Sequence, residues 1–209
     1  MTLTYILNTE PLNNRELFEE KLSLVDDTRK HKVLRLPPSS QRTSLGAGLL
    51  IREFVGEITT YNKQGKPLSN TTQFNISHSG KFVVLSVSSA PVGVDIEVMQ
   101  RNRNEIAKRF FANDEYRQIE ESENQDETFT KIWTLKEAFL KCIGTGIGEY
   151  MRNFAIFLGE EITVRQKITD KSYYFKEYPV EGYKLSVCSE DCSFGENLID
   201  VTEKILGKE

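Results

Sequence analysis

Three short stretches carry residues whose types and spacing suit chemistry on phosphate. In GVDIEVM (93–99), Asp95 and Glu97 stand two apart within a Val/Ile-rich run. Strand side chains alternate faces, so both carboxylates point the same way. Like charges on one half-buried face repel and lose solvation, so a positive group is expected between them: a lysine, an arginine or a metal ion. In WTLKEAFLK (133–141), Trp133, Glu137 and Lys141 recur every four residues and share one side of a helix. Glu137 beside Asp95 and Glu97 would complete a hard, oxygen-rich site suited to Mg²⁺, with phosphate oxygens and water in the remaining positions. In NISHSG (75–80), His78 lies between Ser77 and Ser79 and is able to donate a hydrogen bond to phosphate. Each fragment alone also has a plain structural explanation: a helix-surface ion pair, an edge-strand charge pair, a hydrogen-bonded histidine. Spacing does not itself bring them together. The glycines of GTGIG (144–148) are not read as a nucleotide loop, because a helix precedes them where the dinucleotide fingerprint needs a strand.

The elements that must position these residues are legible from periodicity. Thr2 to Leu7 alternates as a first strand. Residues 13–36 have helical spacing, with Leu17, Phe18, Leu22 and Val25 on one face, and Pro37 and Pro38 stop it. Residues 39–58 predict a second helix with Leu45, Leu49 and Phe54 inward, and Gly46 and Gly48 imply close packing on a neighbour. After a turn at 62–67, runs 73–79, 81–88 and 92–99 read as a three-stranded antiparallel meander. A helix over 104–121 follows, then a stronger one over 126–146 started by Asp126, Thr128 or Thr130, then four strands over 154–189. Each half therefore reads as helix followed by strands.

Length and composition bound the function. The chain has 209 residues, 38% hydrophobic and 28% charged, enough for one large domain or two small units sharing a core. It has no apolar run of about 18 residues and no basic segment leading into an apolar core at its start, so neither a membrane span nor a secretory signal is expected. A net charge of −4 argues against general nucleic-acid binding. The charge is uneven, with a basic cluster in RKHKVLR (29–35) and Arg42, and an acidic run over 113–127. The three cysteines, Cys142, Cys188 and Cys192, fit no zinc or disulfide spacing, and a reducing cytoplasm is the expected setting.

In chain order, GKP (65–67), FNISHSG (74–80), GVDIE (93–97), AKRFFANDEY (107–116) and WTLKEAFLK (133–141) resemble the Sfp-type 4′-phosphopantetheinyl transferases, with a weaker match at QRTSLGAGLL (41–50). The resemblance implies an α+β fold of two similar halves in a pseudo-twofold pair, each with helices on an antiparallel sheet. Residues 1–100 would form the N-terminal half and 101–209 the C-terminal half, with the active site in the cleft between them. It implies that a carrier-protein serine attacks the β-phosphate of coenzyme A, that phosphopantetheine is transferred, and that 3′,5′-ADP leaves. Mg²⁺ is implied, with Mn²⁺ able to substitute.

By the same resemblance Asp95, Glu97 and Glu137 match the metal ligands, and Lys141 the lysine on the pyrophosphate. Glu137 or Glu97, directly or through water, would take the serine proton. Lys30, Arg42, Ser77 and His78 match the surroundings of the coenzyme A 3′-phosphate, and Lys66 and Pro67 the adenine-side turn. Arg101, Arg103, Phe110 and Phe111 are expected to meet an acyl or peptidyl carrier domain, because such carriers are generally acidic. Carriers of peptide or polyketide synthetases are the implied partners; fatty-acid carriers and an aminoadipate reductase stay open. The length of the chain suggests a monomer. Two other classes are weighed against this enzyme: a carrier-binding module that holds coenzyme A without turnover, and a Mg²⁺-dependent phosphohydrolase.

Overall fold

The computed structural model describes residues 1–56, 58–61, 67–99, 104–145 and 149–207. The first half begins with β1 (Leu3–Asn8), followed by α1 (Arg15–Ser23), α2 (Asp27–Leu34) and α3 (Pro38–Phe54). A small hairpin of β2 (Thr60–Tyr61) and β3 (Pro67–Leu68) leads to β4 (Gln73–Ser79) and β5 (Phe82–Ser88). The second half begins with β6 (Val92–Val98), followed by α4 (Asn104–Phe110), α5 (Asn113–Glu120) and α6 (Gln125–Ile143). The strands β7 (Ala155–Phe157), β8 (Thr163–Arg165), β9 (Tyr174–Val180) and β10 (Tyr183–Ser189) come next, then β11 (Ile199–Asp200) and α7 (Thr202–Leu206).

The two halves repeat one topology. In the first sheet, of order β11-β1-β5-β4, the returning strand β5 lies antiparallel between β1 and β4. In the second, β6-β10-β9, the returning strand β10 lies antiparallel between β6 and β9. Strand, helices, hairpin is the order in both. The protein is therefore α+β, as expected, and its duplication lies in topology where the two sequences show little likeness.

Four expectations are corrected. The helix over 13–36 is two helices, because Asp26 turns out of the first and accepts a hydrogen bond from Arg29 N at 2.9 Å to cap the second. The helix over 104–121 also divides, at Phe111–Ala112, where Ala112 N donates to the Glu115 carboxylate at 2.8 Å. The helix expected over 126–146 starts on Asn124, which accepts from Glu127 N, rather than on Asp126, Thr128 or Thr130. Finally, β6 does not extend the meander. It leaves the first sheet and pairs along its length with β10, Asp95 opposite Ser186. By its pairing β6 begins the second unit. After the second sheet, β11 returns to pair parallel with β1.

Burial explains the departure of β6. Val92, Val94 and Ile96 point from one face into an apolar cluster with Ile6, Val84, Leu185 and Val187. The other face, carrying Gly93, Asp95 and Glu97, is turned to α6. A strand covered on both faces cannot show simple apolar–polar alternation. The core of the first half gathers Leu7, Leu45, Leu49, Leu50, Val83 and Leu85 beneath α3. The close packing expected at Gly48 is present, for a Cβ there would lie 2.9 Å from Arg29 Cγ on α2. No helix among the described residues is long and apolar enough to cross a membrane.

Candidate active site

The site forms where the β4 edge of the first sheet meets the β6 edge of the second. These edges are not joined by a strand ladder. Side chains of β4 bridge them instead. Asn75 Oδ1 accepts from Val94 N at 3.1 Å, Ser77 Oγ donates to Asp95 Oδ1 at 2.8 Å, and Ser79 Oγ donates to Glu97 Oε2 at 2.9 Å. Alternation along β4 places these three on the seam, and sends Phe74 and Ile76 into the first half's core. His78 shares that face but is exposed at the strand's end.

Helix α6 supplies the other wall. It lies so close to β6 that a Cβ on Gly93 would fall 2.0 Å from Ala138 O and 2.5 Å from Cys142 N. Only glycine permits this contact, and it sets the reach of the next residues on each element. Lys141 Nζ donates to Asp95 Oδ1 at 2.6 Å, to Val94 O at 3.1 Å and to Ser77 Oγ at 3.2 Å. A lysine, one of the candidates expected between Asp95 and Glu97, thus lies on Asp95. Glu137, one turn earlier on α6, is 2% exposed.

The electrostatics are those of a crowded acidic centre. Burial pushes the Asp95 carboxyl above its usual pKa, while Lys141 and the Ser77 hydroxyl pull it back. Burial, then the Asp95 and Glu97 charges, raise Glu137 to about 7 against a smaller opposing pull from Lys141. Asp95 Oδ2 and Glu137 Oε1 are buried with no hydrogen-bond partner. Such orphaned acceptors are costly unless something fills them. Oxygen donors from Asp95, Glu97 and Glu137 fit a hard divalent cation. They are not a finished ligand set: among the described residues no three acidic, imidazole or thiol side chains converge for a metal as they stand. Lys141 lies on Asp95, and Ser79 holds Glu97.

The remaining predicted residues are placed as follows. Ser77 is 8% exposed and is committed to Asp95 and Lys141. The protein mass around His78 and the charge of Lys141 hold its pKa below the ordinary value, and Lys32 adds to that effect. Arg42, on α3, bonds to Asn13 Oδ1. Lys30 pairs with Asp27 at 3.3 Å across one turn of α2. Pro67 pairs with Tyr61 in the small hairpin. Lys66, Arg101 and Arg103 lie outside the described residues. Phe110 is half-buried, edge-on to Trp133 at 6.3 Å, with Arg109 over its ring at 5.1 Å. Phe111 is a correction: it is 2% exposed and stacks on Phe129 at 5.2 Å, so it is core and not docking surface.

Sequence reasoning missed three supports of the site. Gly93 sets the approach of α6. Ser79 holds Glu97, a role its partner-strand spacing hid. Lys136, next to Glu137, is fully buried and donates to Glu115 at 2.7 and 2.8 Å and to Phe154 O at 2.9 Å, fixing the rotation of α6 against α5. The one available signal for it was a lysine on the apolar side of a strongly helical run.

Fold and site together define a two-unit α+β protein with an acidic, lysine-bridged centre at the seam between its units. The 4′-phosphopantetheinyl transferase superfamily pattern matches residues 91–188, which is the second unit from β6 through β10. Over almost the whole chain the protein is 30% identical to the 4′-phosphopantetheinyl transferase Sfp of Bacillus subtilis (strain 168), covering 99% of this chain and 100% of that one. It is 31% identical to the Bacillus subtilis transferase ffp, again over 99% and 100%. It is 34% identical to the transferase gsp of Aneurinibacillus migulanus, over 70% of this chain and 68% of that one. The chain belongs to the 4′-phosphopantetheinyl transferase superfamily, within its Sfp-type group.

Proposed function

We propose that the protein transfers the phosphopantetheine arm of coenzyme A to a serine of an acyl or peptidyl carrier domain and releases 3′,5′-ADP. The observation that carries this is the pair of buried, unpartnered oxygens, Asp95 Oδ2 and Glu137 Oε1, beside Lys141 at the seam. Asp95, Glu97 and Glu137 would hold Mg²⁺, or Mn²⁺ in its place, and the cation would supply positive charge to the pyrophosphate oxygens. Phosphoryl transfer asks the protein chiefly for positioning and charge neutralisation. Lys141 binds the pyrophosphate and neutralises the leaving phosphate. Glu137, directly or through water, takes the serine proton; Glu97 is the second choice.

On this reading His78, with Arg42 and Lys30, binds the 3′-phosphate, and Lys66 and Pro67 flank the adenine. Lys32 joins the basic set, because its charge reaches His78. Ser77 serves the acidic centre rather than the 3′-phosphate. The carrier approaches past Arg101, Arg103 and Phe110. One chain contains both topological repeats, which favours a monomer, and three free thiols favour a reducing cytoplasm.

The test is to incubate the protein with coenzyme A and Mg²⁺, with and without an apo carrier domain, and to follow released 3′,5′-ADP by chromatography. Release that depends on the carrier supports transfer. Release without carrier is the behaviour of a phosphohydrolase, and coenzyme A binding with no release is that of a non-catalytic module.

A further inference from the structure

The β4 sequence Ser77-His78-Ser79 faces two ways, and its second serine has no place in the function above. Ser79 is at the far end of the seam from Asn75. Its hydroxyl accepts from Val98 N at 3.1 Å and donates to Glu97 Oε2 at 2.9 Å. One backbone donor of β6 thus fixes the hydroxyl, and the hydroxyl fixes the carboxylate. Its neighbour two residues back, Ser77, donates to Asp95 Oδ1 and accepts from Lys141 Nζ instead of from the β6 backbone. Both carboxylates of β6 are therefore oriented by the opposite unit, across an edge where no strand ladder holds the units together. His78, between the two serines, points to the other face of β4.

We propose that Ser79 is a positioning residue for the acidic centre. Strand alternation already puts Glu97 on the same face of β6 as Asp95; by fixing the orientation of the Glu97 carboxylate there, Ser79 ties the affinity of the centre for a divalent cation to the packing of the first unit. This inference rests on the metal-dependent transfer proposed above. It separates two functions along three residues: the serines serve the cation, and His78 serves the nucleotide. A charge-assisted hydrogen bond that orients a ligand carboxylate acts on the ligand's geometry and basicity, and its loss typically costs about 10–100-fold in metal affinity or activity.

The experiment compares Ser79→Ala, Ser79→Val and Ser79→Thr with the wild type. Thr and Val have the same shape, and only Thr keeps the hydroxyl. Two quantities are read for each: the Mg²⁺ concentration that half-produces the cation-induced rise in thermal midpoint, and the KM for coenzyme A at saturating Mg²⁺. The expected result is a roughly tenfold higher Mg²⁺ requirement for Ser79→Ala and Ser79→Val, equivalent to about 1.4 kcal/mol. Ser79→Thr stays near wild type, and the coenzyme A KM changes less than about twofold in all three. Equal Mg²⁺ requirements for the Thr and Val variants would overturn the inference. So would a loss of Mg²⁺ and coenzyme A affinity in parallel, which is the mark of a merely structural serine. If the wild type itself transfers nothing and shows no Mg²⁺-induced shift, the proposed function falls, and the inference with it.

Discussion

Glu137 is held in the folded protein under conditions that oppose its charge, and that opposition is measurable as stability. Its pKa rises from the usual 4.5 to about 7, mainly through burial and next through the Asp95 and Glu97 charges. A raised carboxyl pKa means the folded state binds the proton more tightly than the unfolded state. Its stabilising contribution is complete below pH 4.5 and is lost as pH rises through 7. At about 1.36 kcal/mol for each pKa unit, the loss comes to about 3 kcal/mol at pH 8 and under about 1 kcal/mol at pH 5. Glu137→Gln removes the titration and keeps the shape. Without divalent cation, urea unfolding of the two proteins from pH 5 to pH 8 should show the variant gaining on the wild type by about 2–3 kcal/mol across that range. Added Mg²⁺ should raise the wild type at pH 8 and leave the variant nearly unchanged, and the variant should be inactive in transfer. A stability difference independent of pH would refute the reasoning, because it would mean that Glu137 titrates normally in the fold.

Three further outcomes are expected. Gly93→Ala, whose Cβ would meet the α6 backbone at 2.0 Å, should lower stability by about 3 kcal/mol and abolish transfer; a near-wild-type urea midpoint would show that α6 can move away. Lys136→Met leaves Glu115 buried without its ion partner and should cost about 3–5 kcal/mol, while the double variant with Glu115→Gln should recover much of it; a double variant no more stable than the single would contradict this reading of the pair. His78→Ala and Arg42→Ala should each reduce the preference for coenzyme A over 3′-dephospho-coenzyme A by about 1.5–3 kcal/mol in kcat/KM, with kcat little changed at saturation. An unchanged preference would remove that residue from the 3′-phosphate site.

The chemistry was legible where one element carries it. Asp95 and Glu97 were placed on one face by strand alternation, and Glu137 and Lys141 on one side of a helix by their spacing. What lies between elements was hidden. That β6 pairs with β10 is decided by apolar burial on its Val92–Val94–Ile96 face, and nothing in a run of short strands says which sheet a strand will join. The two carboxylates therefore come from the same unit as Glu137, and the first unit contributes the serines that hold them. Helix breaks at Asp26 and at Phe111–Ala112 escaped for a different reason: each is a local hydrogen bond to a carboxylate, inside a pattern whose periodicity barely falters. Phe111 does not fit the docking expectation because two adjacent phenylalanines look alike in sequence, while the helix end leaves Phe110 half-buried and turns Phe111 fully into the core.

The central claim is that this seam moves a phosphopantetheine arm onto a carrier through Asp95, Glu137 and Lys141. The most direct measurement is the intact mass of an apo carrier domain after incubation with the protein, coenzyme A and Mg²⁺. Wild-type protein should add one phosphopantetheine arm to the carrier. EDTA, Asp95→Ala and Glu137→Gln should each leave the carrier at its apo mass. A carrier that stays apo with the wild-type protein, or gains the arm equally with Asp95→Ala, would contradict the account.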